Sequence, residues 1–379
     1  MHIGLLGHGV VGSGVEKIIL QNQTMAIQID KILVKDDAEK TQANMVLDFK
    51  EILEDNQIDT VVECIGGLEP SHSYCLQALN KGKNVVTSNK AMVATFFDEL
   101  VAAAKANNVK LLFEASVGGG IPWIHNLIKT KRVDLVTGYK GIFNGTTNYI
   151  LDQMFKNNCE FAQALQQAQK LGYAERDPSN DIDGIDVKYK CCISANVAYD
   201  TSCKLDSIDT FGIRNITTAD IEYCKNNKLV CKLLGQSSLN KNTKELDIYV
   251  QPEFVDDMFA HVTSNYNFIR LYCNTLESSS FMGQGAGSLP TAHAIIQDLC
   301  SLKENEQLNY ESTNTYSINN TAKRSYYVRT TDTGTFKDVL ASQISNTQLL
   351  TKPIEVHSMN KLVKQTTDER IFIAGVKND

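Results

Sequence analysis

Over the first 120 residues, short apolar runs alternate with stretches in which apolar residues recur at helical spacing. "HIGLLG" (2–7), "KILV" (31–34), "TVVECIG" (60–66), "NVVTS" (84–88) and "KLLFEAS" (110–116) read as strands. The stretch 10–21, "PSHSYCLQALNKG" (70–82) and "DELVAAAKANN" (98–108) read as the helices between them. Strands separated by helices predict a parallel sheet of the α/β class. The middle, roughly 130–300, is mixed. It holds a Gly/Thr/Asn segment at 140–149, a helical stretch at 159–171, an acidic loop at 173–186 and a long helix after it. β-type runs follow at "ELDIYVQPEFV" (245–255) and "NFIRLYC" (267–273), then a glycine loop and helix in "GQGAGSLPTAHAIIQDL" (283–299). Residues 303–323 are polar and predict a linker. From Arg324 the pattern predicts a strand, a helix and two more strands.

Length and charge narrow the function classes. A chain of 379 residues is long enough for two or three domains. A net charge of −7 argues against nucleic acid as a partner, because phosphate binding needs clustered Lys and Arg. No apolar stretch approaches 18 residues, so no membrane partner is expected. No signal peptide precedes Ile3, which already belongs to the first strand. Ten scattered cysteines without a CxxC pair suit buried, reduced thiols and a cytoplasmic protein.

Three glycines give the first chemical signal. Gly7-x-Gly9-x-x-Gly12 follows an apolar strand and opens a helix. The first permits a tight turn, the second lets backbone approach a pyrophosphate, and the third lets helix and strand pack closely. Gly9, Val10, Val11 and Gly12 then stand at a helix N-terminus, whose N–H groups and partial positive charge suit phosphate. The end of the second strand reads "ILVKDDAEK" (32–40). A cation there would neutralise a 2′-phosphate and an acid would hold a ribose 2′-OH. Lys35 points to NADP, with NAD the alternative through Asp36 or Asp37.

Other segments carry reactive groups. In "VVTSNKAMVA" (85–94), Lys90 follows a strand, where it can bind cofactor or substrate or move a proton. "LGYAERDPSNDIDGIDVKYK" (171–190) sets Glu175, Asp177, Asp181, Asp183 and Asp186 before Lys188 and Lys190. Asp186 and Lys190 share one helix face, and the next turn is apolar. A solvated acidic loop with an i,i+4 pair is one reading; carboxylates gripping a cationic group beside an acid–base lysine is the other. "FEASVGGGIP" (113–122) reads as a connection between domains, or as backbone whose carbonyls surround a hard cation. "GIFNGTTNYIL" (141–151) is a turn suited to contacts with a polar substrate.

Taken together, "GLLGHGVVGSGV", "VVECIGGLEPSHSYCLQALNKGKNVVTSNKA", "FEASVGGGIP", "NGTTNYIL", the acidic run and "GAGSLPTA" resemble homoserine dehydrogenase in order and spacing over residues 1–300. The resemblance implies an NAD(P)-dependent oxidoreductase interconverting L-homoserine and L-aspartate 4-semialdehyde, in threonine and methionine biosynthesis. It implies a Rossmann-type parallel-sheet domain at 1–128 completed by 285–302, an α+β catalytic and dimerisation domain at 129–302, a linker at 303–323, and a partial ACT-like tail at 324–379. It makes Lys190 the proton donor to the carbonyl oxygen, oriented by Asp186, with Lys90 beside substrate and nicotinamide. Glu175 would bind the substrate ammonium with Asp181 in support, and Tyr173, Gly145 and Thr146 would contact substrate. Gly285 joins the cofactor-binding set. Backbone oxygens of Glu114, Val117, Gly119 and Ile121 would hold a sodium ion. A homodimer or higher homo-oligomer is expected. "SYYVRTTDTGTFKDVLASQ" (325–343) resembles the first strand, loop and helix of an ACT domain, and "RIFIAGV" (370–376) a later strand. The catalytic motifs are complete by Thr291, so the tail is expected to be dispensable for catalysis. A catalytically idle dinucleotide-binding regulator on the same fold would lack Lys190, Glu175 or Asp186, and all three are present.

Overall fold

The computed structural model describes residues 1–377. In chain order, the first part runs β1 (His2–Leu6), α1 (Val10–Gln21), β2 (Gln28–Leu33), β3 (Met45–Val46), α2 (Lys50–Leu53), β4 (Thr60–Glu63), α3 (Ser71–Asn80), β5 (Asn84–Thr87), α4 (Lys90–Ala106), β6 (Leu111–Leu112) and α5 (Trp123–Lys131). The middle runs β7 (Val136–Ile142), α6 (Gly145–Asn157), α7 (Phe161–Lys170), α8 (Ser179–Ile182), α9 (Ile185–Tyr199), β8 (Asp209–Thr210), α10 (Thr218–Asn226), β9 (Val230–Asn240), β10 (Glu245–Val255), β11 (Tyr266–Cys273), β12 (Ser278–Gln284) and α11 (Ser288–Lys303). The last part runs β13 (Ser317–Ile318), β14 (Lys323–Arg329), β15 (Leu340–Gln343), β16 (Gln348–Thr351), β17 (Ile354–Glu355), α12 (Val356–Gln365) and β18 (Phe372–Val376). Two compact units result. One is Met1–Val133 with Ile193–Ser202 and Gly283–Thr315; the other is Asp134–Cys192 with Cys203–Met282 and the chain from Tyr316.

The first unit is built on a six-stranded parallel sheet in the order β3-β2-β1-β4-β5-β6. Its strands are apolar on both faces: Ile3, Leu5, Val61, Val62, Val85 and Val86 are fully buried. That is the pattern of a parallel sheet covered on both sides, and each such side chain contributes about 1.5–3 kcal/mol. Strand order reverses between β1 and β4, so the carboxyl ends of these two strands lie side by side at Leu6 and Glu63. Helix α11 packs on α1 through Gly14, where a Cβ would fall 2.7 Å from Ser288 Oγ and 3.1 Å from Ala292 Cβ.

The second unit has a mixed sheet whose main path is β12-β11-β7-β9-β10-β18-β14-β16-β15. Helix α9 lies against β9 at Gly235, where a Cβ would come within 2.3 Å of Cys191 Sγ and 2.8 Å of Val187 Cγ1. Tyr139 of β7 also donates its hydroxyl to the Cys191 carbonyl (2.7 Å). Glycine on the strand and tyrosine on its neighbour therefore set the depth at which α9 carries its charged first turns.

The last segment departs from the sequence expectation. The helix expected within 325–343 is a 3-10 segment, Thr333–Val339, followed by strand β15. Asp332 accepts from the hydroxyls of Thr335 and Thr366 (2.8 and 3.0 Å), and such local side-chain bonds compete with an α-helix. The α-helix of this segment is instead α12, unforeseen in the sequence. Tyr326, Val328, Phe336, Leu349, Met359 and Ile373 form a core there. The stretch 303–323, expected as a linker, is mostly exposed but anchored at particular side chains. Tyr310 is buried and stacks on Phe113 (4.2 Å between centroids). Asn320 is buried, accepting from Ile248 N (2.7 Å) and donating to Asp209 Oδ2 (2.9 Å). Polar composition suggested solvent here, but Asn320 spends its hydrogen bonds on neighbouring backbone and carboxylate groups.

Candidate active site

In the first unit, the glycine loop has the geometry that its spacing requires. Gly7 is left-handed at φ +90. A Cβ on Gly12 would fall 2.1 Å from the Gly7 carbonyl oxygen, so only glycine fits. A Cβ on Gly9 would meet nothing within 4 Å, and no side chain caps the helix that it begins. Val10 is exposed and Val11 half-buried on the same first turn. Open space at uncapped helix N–H groups suits a pyrophosphate. After β2, Asp36 caps a 3-10 turn by accepting from Ala38 N (3.0 Å) and Glu39 N (3.3 Å), and Asp37 pairs with Lys40 (3.3 Å). The acids are thus engaged locally, and Lys35 is left exposed. Gly285 packs against Gly119, where a Cβ would lie 2.5 Å from the Gly285 carbonyl carbon.

Lys90 is the first residue of α4, half-buried, and a polar network that sequence reasoning missed sets its place. Buried Glu63, at the end of β4, accepts from Ile65 N (2.8 Å), Gly66 N (2.9 Å) and Thr87 Oγ1 (2.6 Å). Thr87 accepts from Asn89 N (3.0 Å), and Asn89 caps α4 at Met92 N while donating to the Gly67 carbonyl (2.6 Å). One carboxylate therefore orders the loop after β4 and the helix start after β5.

The 113–122 turn is buried over 113–119 and at Ile121, with Pro122 exposed. Its carbonyls at Glu114 and Ile121 accept from Val117 N (3.3 Å) and Trp123 N (2.8 Å), leaving each a second lone pair. Gly118 and Gly119 are left-handed at φ +86 and +59. The Glu114 carboxylate accepts from Ile124 N (2.9 Å) and His125 N (2.7 Å) at the start of α5. Asp298 joins it, accepting from His125 Nε2 (2.7 Å) and Glu114 N (2.9 Å). Burial, reinforced by the Asp298 charge and opposed by His125, pushes Glu114 up to about 7. His125 and Asp298 are far apart along the chain, and no local signal marks them. Among the described residues, no group of three or more His, Cys, Asp and Glu side chains could hold a metal ion. A cation here would have to rely on backbone oxygens.

In the second unit, Lys190 Nζ donates to Asp186 Oδ2 (2.7 Å) and to the Phe143 carbonyl (2.6 Å). Both side chains are buried, which rules out the solvated-pair reading. Asn144, also missed, joins the carboxylates: its Nδ2 donates to Asp181 Oδ1 (2.6 Å) and Asp186 Oδ2 (2.8 Å), while its Oδ1 caps α6 at Thr147 N (2.8 Å). The sequence signal was present, since asparagine before Gly-Thr-Thr is a helix N-cap pattern. Buried Asn267 donates to the same Phe143 carbonyl (2.9 Å). Gly145 lies where a Cβ would be 2.6 Å from the Asn265 carbonyl oxygen. Thr146 donates its hydroxyl to the Tyr173 carbonyl, and the Tyr173 ring packs edge-on against Tyr149 (5.1 Å). Glu175 stands two residues on, exposed on the loop before α8. Lysine, two carboxylates, a bridging amide and the Gly145–Thr146 turn thus converge in this unit. Lys90 belongs to the other unit.

Known proteins match these features. A family model described as the homoserine dehydrogenase NAD-binding domain matches residues 7–114, and one described as homoserine dehydrogenase matches residues 122–300. Homoserine dehydrogenase of Bacillus subtilis is 35% identical over 322 residues, covering 81% of this chain and 74% of that one. That of Helicobacter pylori is 35% identical over 400 aligned positions, covering 100% and 94%. Among solved structures, the crystal structure of a homoserine dehydrogenase from Thiobacillus denitrificans superposes with a TM-score of 0.88 at 28% identity, covering 100% of this chain and 98% of that one. A hyperthermophilic archaeal homoserine dehydrogenase in complex with NADPH gives 0.69 at 25% identity, covering 80% and 98%. With its nucleotide-binding turn and buried Asp–Lys pair, the chain belongs to the homoserine dehydrogenase family, the NAD(P)-dependent oxidoreductases that interconvert L-homoserine and L-aspartate 4-semialdehyde.

Proposed function

We propose that this enzyme uses Lys190 as its acid–base group and prefers NADP. The observation that carries the first part is the Lys190 amine, buried and held at 2.7 Å by Asp186 and at 2.6 Å by the Phe143 carbonyl. When bound, the dinucleotide carries the hydride. What remains for the protein is one proton on the substrate oxygen and the orientation of the carbon beside it. In the oxidising direction Lys190 takes the proton of the homoserine hydroxyl; in the reducing direction it returns a proton to the aldehyde oxygen. Asp186 and the Phe143 carbonyl fix the amine's direction, and Lys90 serves the nicotinamide.

Glu175 and Asp181 bind the substrate ammonium, Glu175 from its exposed loop and Asp181 from the Asn144 bridge. Charge-assisted bonds of this kind are strong and directional. Tyr173, Gly145 and Thr146 contact the rest of the amino acid. Gly7, Gly9, Val10, Val11, Gly12 and Gly285 receive the dinucleotide, with Lys35 at the 2′-phosphate. The reading of Lys35 is supported by its exposure beside acids that already have partners. A sodium ion on the backbone oxygens of Glu114, Val117, Gly119 and Ile121 fits the donor chemistry of a buried turn flanked by a carboxylate. A homodimer is supported by the edge strand β12, where Met282 is exposed, with Leu276 exposed just before it. No observation favours a catalytically idle protein. Initial rates with homoserine and each dinucleotide test the cofactor assignment. Lys35→Ala should raise the KM for NADP+ about 10-fold or more and leave that for NAD+ nearly unchanged; equal shifts would reduce Lys35 to general steering.

A further inference from the structure

The one-turn helix α8 carries Asp181, and a short strap, residues 211–215, holds it in place. Arg214 reaches it with both arms of its guanidinium: Nε donates to Asp183 Oδ1 (2.7 Å) and Nη2 to Asp183 Oδ2 (2.6 Å). Nη2 also donates to Ser179 Oγ (3.1 Å). Ser179 opens α8 and Asp183 follows its last residue. A single side chain thus spans both ends of the turn. The strap's backbone adds to this grip. Ile213 N donates to the Ile182 carbonyl (2.7 Å), and a Cβ on Gly212 would fall 2.0 Å from that same oxygen.

The other side of the strap belongs to the C-terminal segment. Asn215 Nδ2 donates to the carbonyls of Glu369 (2.9 Å) and Ile371 (3.1 Å). Arg329 of β14 donates to the Asn215 carbonyl and to Asp220 Oδ1 (2.8 Å), the residue that completes the α10 capping box. Phe211 packs on the core of Tyr326, Phe336 and Ile373. The C-terminal segment, the strap and α8 therefore form one bonded series that continues through Asp181 to Asn144, Asp186 and Lys190.

We infer that Arg214 is a positioning residue for Asp181, and that the C-terminal segment acts on homoserine binding through it. The inference rests on the reading of Asp181 as a substrate-binding group. The Arg214–Asp183 pair is half-exposed, with side chains 50% and 38% accessible. Such pairs add little to stability, whereas a bidentate fork defines a geometry that a lysine cannot reproduce. The value of the pair is therefore positional. This replaces the expectation that catalysis is indifferent to the tail.

The test uses the full chain at saturating NADP+ with homoserine varied. Arg214→Ala should lower kcat/KM for homoserine about 10-fold, within the range that a misplacement of order 1 Å produces. The KM for NADP+ and the melting temperature should stay near wild type. Arg214→Lys should recover only part of the loss. The double variant Arg214→Ala/Asp181→Ala should be no worse than the poorer single variant, because both changes act on one group. Should Arg214→Ala fail to fold, Asn215→Ala, which removes only the two bonds to the C-terminal segment, is read the same way with a smaller loss. An Arg214→Ala enzyme within twofold of wild type, beside an impaired Asp181→Ala, would overturn the inference and leave the role of Asp181 standing. Wild-type kinetics in Asp181→Ala would overturn the reading beneath it.

Discussion

Asn144 does three jobs with one amide: it caps α6 and donates to both Asp181 and Asp186. Asn144→Ala should therefore cost more than a helix cap, which alone is worth about 1 kcal/mol. It also leaves two carboxylates short of a donor, so homoserine kcat/KM should fall about 10- to 100-fold while dinucleotide binding holds. Steady-state kinetics with each substrate varied would check this, and a loss in cofactor affinity would contradict it. The buried Asp186–Lys190 pair itself was legible in the sequence, because i,i+4 spacing and an apolar next turn put both residues on a buried face. The donors around it were less legible. Asn144 had a local signature as an N-cap, but its reach to Asp181 and Asp186 depends on where α8 and α9 lie. Arg214, Asn267 and the Glu63–Thr87–Asn89 network act across long sequence separations, where spacing carries no information.

At the scale of elements, the nucleotide-binding half was the most readable. Three glycines, a strand before and a helix after them define β1 and α1 because each glycine answers a steric demand: left-handed backbone at Gly7, open space at Gly9, carbonyl contact at Gly12. Helix α12 was missed although Val356 and Met359 sit at helical spacing and are buried, because polar residues and Pro353 surround them. One element joins stability to pH. Lys232 of β9 is buried and donates to Asn148 Oδ1 (2.8 Å) of α6 and to the Val262 carbonyl (2.6 Å). Burial, opposed by the Asp152 charge, pushes its amine down to about 8 from 10.5. Between those two values the unfolded chain holds a proton that the folded protein has released. Stability therefore rises with pH across that window, and the cost of charging the amine is fully present below pH 8. The span corresponds to about 3 kcal/mol at most. Denaturant unfolding at pH 7.5 and pH 10 should show the wild type gaining on Lys232→Met by an amount of that order; parallel behaviour of the two proteins would contradict it.

For the whole molecule, alternation of strands and helices foretold a parallel α/β unit, and the acidic run with its lysine foretold a buried polar cluster. The C-terminal segment was harder to place, because its polar approach resembles a linker while its bonds are those of a built-in part. Asn320 enters the β10 ladder at Ile248 N, and β18 pairs with β10 at Gly375 and Glu253. The central claim is that this chain oxidises homoserine through Lys190, and one comparison tests it most directly. Homoserine-dependent reduction of NADP+ is followed in wild type and in Lys190→Ala, with NADPH binding measured on both. Asp186 keeps its bond from Asn144 in the variant (2.8 Å), so the fold and the cofactor site should survive. The account predicts dinucleotide reduction by the wild type, a loss of about 10²-fold or more in kcat for the variant, and unchanged NADPH affinity. Turnover near wild type in Lys190→Ala at saturating homoserine would contradict it.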